Sequence, residues 1–151
     1  LIDAICRAPL WQAQMDYGHG TGHGVGYFLN VHEGPQVIAY SASTPKERAM
    51  KVGMISSNEP GLYREGKWGI RIENLVVNTP VAKPTETEFG DFLNFETITY
   101  CPIDTRLIEP SLLDQTEIDW LNNYHSQVFA ELKDRVEGAA LKWLIERTKG
   151  I

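Results

Sequence analysis

Three of the four histidines fall in one stretch, GHGTGHGVGYFLNVHEG, running from Gly18 to Gly34. His19, His23 and His32 sit there among glycines that occupy every second position from 18 to 26. Imidazoles ligate metals and carry protons near neutral pH. Glycines let a backbone turn sharply and approach closely whatever it holds. Two glutamates downstream add oxygen donors: Glu59 in SNEPG, before a Pro-Gly turn, and Glu73 in IRIEN, two positions after Arg71. One histidine with two glutamates makes three protein ligands, enough for an open hydrolytic metal site. Two ions would need more. The competing reading of Arg71 and Glu73 is a solvated outer strand face.

Rival motifs fail on their spacing. His19 and His23 are four apart, as in HExxH, but Gly20, Thr21 and Gly22 between them oppose a helix and the HExxH glutamate is absent. Strictly alternating glycines leave no GxGxxG. GLYREGKW fits GxxxxGK at Gly61, Gly66 and Lys67, but Trp68 stands where magnesium needs a hydroxyl.

The elements that must position these residues follow from periodicity. Ile2, Ile5, Cys6, Pro9 and Leu10 predict a helical apolar stripe ending near Pro9. Val25–Val31 reads as a strand or extended segment on its aromatic and β-branched content. Thr44-Pro45-Lys46-Glu47 resembles a capping box with one helical turn. Met54–Pro60 is a strand, GLYREGKWG a hairpin with Gly66 at its tip, Gly69–Asn78 one alternating strand and Phe92–Tyr100 another. After Pro110 the period becomes helical. A capping box framed by Ser111 and Asp114 opens one helix, and a second spans Glu137–Thr148. Strands first and helices last predict an α+β fold with an antiparallel sheet followed by C-terminal helices.

A net charge of −6 with no basic cluster argues against a nucleic-acid partner. No apolar run suits a bilayer. Cys6 and Cys101 read as free thiols in a reducing compartment. His125 reads as a structural histidine. The chain begins at Leu1 inside a helical pattern, as if cut from something longer.

The segments, in their order, carry a resemblance. HGTGHGVGYFLNVHEGP followed by SNEPGLYREGKWGIRIEN resembles the second half of the catalytic domain of the aminopeptidase P family, the Xaa-Pro aminopeptidases of the pita-bread (creatinase/aminopeptidase) metallopeptidases. CPIDTRLI, DWLNNYH and ALKWLIERT resemble the C-terminal extension of its long, cytosolic-type members. The resemblance implies the C-terminal part of a pita-bread domain over residues 1–100 and a helical extension packed on it over 101–151. It implies two divalent ions, manganese first and zinc or cobalt as alternatives, held by two aspartates, a histidine and two glutamates. Motif by motif, His23 matches the ligating histidine, Glu59 one ligating glutamate and Glu73 the bridging one. His19 matches a substrate-side histidine, His32 the one beside the scissile bond, and Arg71 the arginine that helps order the site. Glu59 and His32 are the implied catalytic pair, as base and as stabiliser of developing charge.

Both family aspartates precede the histidine motif, and neither Asp3 nor Asp16 matches theirs. Three of the five ligands are therefore expected here, and the chain by itself is expected to be inactive. The implied whole is a cytoplasmic homodimer hydrolysing peptides with proline at the second position, without membrane or nucleic-acid partners. Trp11 is its candidate dimer contact. The alternative is a non-catalytic pita-bread module that binds peptides or proteins. His23, Glu59, Glu73 and His32 together favour the enzyme, because a binding module has no need of them. A single-metal hydrolase complete in these residues is disfavoured by the match.

Overall fold

In the computed structural model of the protein, the first helix, α1 (Ile2–Gln12), buries charge instead of its apolar stripe. Asp3 and Arg7 are 2% and 1% exposed, while Ile5 lies open at 73%. The two buried residues are one helical turn apart, and Arg7 Nε donates to Asp3 Oδ2 at 2.9 Å, so the charges go under as a pair. The helix also runs through Pro9 to Gln12 instead of ending there. Proline forfeits only its own amide bond, the one to the residue four before it, and that residue is the exposed Ile5.

The structure describes residues 1–151 except Thr44 and Pro84. Two units, Leu1–Thr99 and Tyr100–Ile151, make up the chain. In the first, β1 (Gly22–His23) pairs antiparallel with β2 (Val37–Ile38). A three-stranded antiparallel sheet runs in the order β3 (Ile55–Asn58), β6 (Asn74–Pro80), β7 (Leu93–Thr97). The remaining pair, β4 (Gly61–Arg64) and β5 (Trp68–Arg71), is the expected hairpin. Lys67 N donates to Arg64 O at 2.9 Å across its tip, and Gly66 there has φ +68°, which only glycine adopts without strain. The capping box expected at Thr44 lies outside the described residues, which resume at Pro45 with a 3-10 turn over Lys46–Arg48.

Two strand expectations are corrected. Val25–Val31 is a loop: Tyr27 and Leu29 are 98% and 92% exposed, Gly26 N donates to Asn30 O at 2.9 Å, and Leu29 takes φ +56°. Aromatic and β-branched content favours extension, but a strand also needs a running partner. Here Val25 N donates to Ile55 O of β3, and the next amide, Gly26, already turns back on the segment. Gly69–Asn78 is two strands, not one. It breaks at Ile72–Glu73, leaving β5 paired to β4 and β6 paired to β3 and β7.

In the second unit, α2 (Gln115–Leu132) opens on a capping box of Asp114 with Glu117, each side chain accepting from the other's amide at 2.9 Å. Ser111 instead belongs to a 3-10 turn over Pro110–Leu112. The last helix, α3 (Gly138–Arg147), gives Leu144 to a core with Tyr124 and Val128 of α2, on which Ile103, Phe129, Leu132 and Val136 pack. His125 is wholly buried and its Nε2 accepts from Ile103 N at 3.1 Å. Burial pushes its pKa down against hydrogen bonding from the backbone. That is the structural role its sequence position suggests. No helix among the described residues is long and apolar enough to cross a membrane.

Candidate active site

The first unit holds a cavity of about 310 Å³ lined by His19, Gly20, Gly22, His23, His32, Val37, Ala39, Glu59 and Arg71. Five of the six residues singled out from the sequence meet there, and Glu73 does not.

Its floor is built where β1 lies against β3. His23 N donates to Ser57 Oγ at 3.0 Å, Glu59 N donates to Thr21 O at 2.7 Å, and Gly24 bridges to Ser56. Gly22 makes this approach possible, because a Cβ there would collide with the Ser57 carbonyl. Backbone cannot swing aside as a side-chain end can. Gly22→Ala is therefore expected to push β1 off β3 and to lower the melting temperature of the first unit by several degrees or more. Circular dichroism melting checks it, and an unchanged melt would refute this account of the glycine.

His23 turns Nδ1 to Gly24 O at 3.0 Å. A carbonyl only accepts, so the ring proton sits on Nδ1 and Nε2 presents its lone pair. That lone pair faces Glu59 Oε1 at 3.1 Å. Two acceptors so placed call for a shared positive centre, a proton or a metal ion. A backbone carbonyl on the far imidazole nitrogen is the usual support of a metal-ligating histidine. The pair therefore fits a metal chemically. Glu59 is buried, and its Oε1 also accepts from Ser57 Oγ at 2.8 Å while Oε2 lies 3.2 Å from Arg71 Nη1. Glu73 Oε2 is 4.0 Å from the same Arg71 Nη1, at a side chain 44% exposed. Among the described residues no three His, Cys, Asp or Glu side chains are grouped to hold an ion. His23 and Glu59 are the two candidate ligands drawn together.

The other wall carries His32 and His19. The His32 ring lies 4.3 Å from that of His23 by centroid, tilted 53°. His19 Nδ1 sits 2.7 Å from Gly20 O, so here too the proton is on Nδ1 and Nε2 accepts. The donor is Tyr63, whose Oη is 2.9 Å from His19 Nε2 and itself accepts from Arg71 Nε at 2.8 Å. Arg71 Nη2 also approaches His19 Nε2, at 3.3 Å. The hydrogen bond to Tyr63 chiefly, with Glu59 and Glu73 behind it, holds the Arg71 guanidinium firmly charged. Sequence reasoning missed Tyr63. Its signal is register: Tyr63 opposes Gly69 in the hairpin, and that glycine leaves room for its ring.

Comparison with known proteins follows the same lines. A family profile described as "Metallopeptidase family M24" matches residues 1–80, and "C-terminal region of peptidase_M24" matches 91–151. The chain is 48% identical to a protein named "Probable Xaa-Pro aminopeptidase P" from Coprinopsis cinerea, over all of this chain and 24% of that one. It is 44% identical to "Aminopeptidase P2" of Arabidopsis thaliana over 99% of this chain and 21% of that one. The chain thus spans about a quarter or less of the length of these curated relatives. Among solved structures, an X-prolyl aminopeptidase from Caenorhabditis elegans, described as a cytosolic enzyme with a di-nuclear active site, superposes with TM-score 0.86 at 38% identity. That match covers 99% of this chain and 24% of the other.

Proposed function

The chain belongs to metallopeptidase family M24, and from that membership we propose that its 151 residues are the C-terminal part of the catalytic domain of an Xaa-Pro aminopeptidase, with the helical extension that follows it. One observation carries the proposal. The His23–Glu59 pair shares a single cavity with His19, His32 and Arg71, so ligand-type and substrate-type groups face one volume.

His23 and Glu59 would hold metal, with Glu73 reached through Arg71 and the family's two aspartates contributed from before Leu1. The ions, two in number and manganese first, would supply an activated water and Lewis acidity near neutral pH. Glu59 takes a proton from the attacking water and returns it to the leaving proline nitrogen. Its Oε1 is held by Ser57 and its Oε2 by Arg71, so the carboxylate is aimed before substrate arrives. His32 donates to the carbonyl oxygen of the first residue as charge grows there. His19, its ring held by Tyr63, borders the proline side. With three of five ligands, these residues by themselves are read as inactive. The whole enzyme is read as a cytoplasmic homodimer.

The test is peptide hydrolysis by the whole protein loaded with manganese, comparing Xaa-Pro with Xaa-Ala peptides. Release of the first residue from the proline peptide and little from the alanine one is expected. Binding of the proline peptide without turnover would instead support the non-catalytic module.

A further inference from the structure

Among the described residues Arg7 is the largest fully buried side chain, and it lies outside the cavity-lining set. Four of its five N–H groups are spent. Nε donates to Asp3 Oδ2 at 2.9 Å, and Nη1 donates to Asp16 Oδ1 at 2.6 Å and to the Tyr17 carbonyl at 2.8 Å. Nη2 donates to the His19 carbonyl. Its guanidinium also lies 3.9 Å from the Tyr17 ring centroid, a cation–π contact. Asp3 closes the ring of contacts, accepting from Thr21 Oγ and from Tyr40 N. A buried arginine that grips carbonyls on both sides of Gly18 is set to fix a backbone, not merely to neutralise an acid.

That backbone needs fixing. His19 stands between Gly18 and Gly20, and nothing would lie within 4 Å of a Cβ on Gly18. Without tethers the segment could turn freely and carry the imidazole away from the cavity. The floor below is anchored separately, through the Glu59–Thr21 and His23–Ser57 bonds. We propose that Arg7 is a positioning residue for His19, locking the Tyr17–His19 backbone so that its ring stays between Tyr63 and the cavity. The activity side of this inference rests on the Xaa-Pro aminopeptidase reading, and the geometric side does not.

Lysine keeps the charge but lacks the planar fork that serves two carboxylates and two carbonyls at once. In the whole enzyme, Arg7→Lys is expected to cut kcat/KM by about 10²-fold, the scale set by misplacing a positioned group. The loss should fall on KM, since His19 is on the substrate side, with metal content per chain unchanged. Simple partial unfolding would lower kcat and leave KM alone. Independently of activity, the His19 ring cross-peak in a histidine-labelled spectrum should move, assigned with His19→Gln, while that of His125 stays.

If Arg7→Lys does not fold, Asp16→Ala carries the test, since Asp16 is 43% exposed and its carboxylate takes one Arg7 donor along with Tyr17 N. It should raise KM several-fold and move the same cross-peak. A foldable variant with KM and the His19 cross-peak both as in wild type overturns the proposal. A whole protein that cleaves no Xaa-Pro peptide overturns the functional reading instead, and the cross-peak still decides the role of Arg7.

Discussion

Glutamine in place of Glu59 is expected to lower turnover of an Xaa-Pro peptide by the whole enzyme about 10³-fold, within the range for loss of a general base. Three contacts converge on this carboxylate: His23 Nε2 at 3.1 Å, Ser57 Oγ at 2.8 Å and Arg71 Nη1 at 3.2 Å. The amide matches it in shape but can neither take a proton nor neutralise Arg71. The floor should survive, because it is tied by the Glu59 amide to Thr21 and not by the side chain. Metal content should fall as well, since a neutral amide is the poorer partner for a cation beside His23. Steady-state kinetics with elemental analysis of the purified variant measures both. Turnover within tenfold of wild type, with full metal content, would remove Glu59 from both roles.

Alanine in place of Asp3 should destabilise the first unit by about 3–5 kcal/mol, the cost of stranding one member of a buried ion pair. For a unit of this length that lowers the melting temperature by more than about 10 °C. Arg7 would retain Asp16, which is partly exposed, but would lose its only fully buried counter-charge, and Thr21 and Tyr40 would lose an acceptor. Ile5→Ala, one helical step away on the open side, should change stability by less than about 0.5 kcal/mol. The acid side of the same experiment has a definite sign. Burial pushes the Asp3 carboxyl up, but hydrogen bonds from Thr21, Arg7 and Tyr40 outweigh it and hold it below its ordinary 3.8. The folded protein then binds fewer protons at Asp3 than the unfolded chain does. Its stabilisation is therefore complete above about pH 4 and drains away as pH falls through the depressed value. Wild type should soften below pH 4, and Asp3→Asn should flatten that slope in melts taken across pH. Equal slopes would show that the acid loss arises elsewhere.

What the sequence told of this unit depended on whether the signal was local. The hairpin was legible because Gly66 both breaks the pattern and supplies the conformation its turn requires. The cavity residues were legible because their motifs are short and ordered. Strand pairing was not. Residues 69–78 read as one strand because both halves are extended, and only the polar Glu73-Asn74 step marks the join. What separates them is the identity of their partners across space, and one-dimensional alternation does not encode that. Val25–Val31 failed for the converse reason, as good strand composition that pairs only at Val25, whose amide donates to Ile55 O. In α1, Ile2, Ile5, Cys6 and Leu10 outweighed Asp3 and Arg7 in any apolar pattern, because a pattern scores residues singly and a buried pair is favourable only jointly. Tyr63 looked like one more aromatic until the hairpin register set it over Gly69.

The break at Ile72–Glu73 has a consequence for how such a site can diversify. Tyr63 and Arg71 ride on the two-stranded hairpin, whereas Glu59 directly follows β3 and Glu73 leads into β6 of the larger sheet. The two ribbons share no ladder. Changes in the length or composition of the hairpin can shift Tyr63 and Arg71, the proposed substrate side, without re-registering the strands next to the proposed ligands Glu59 and Glu73. On the proposed function, selectivity for the peptide and affinity for the metal would in that sense be separately heritable, with Arg71 touching both sides.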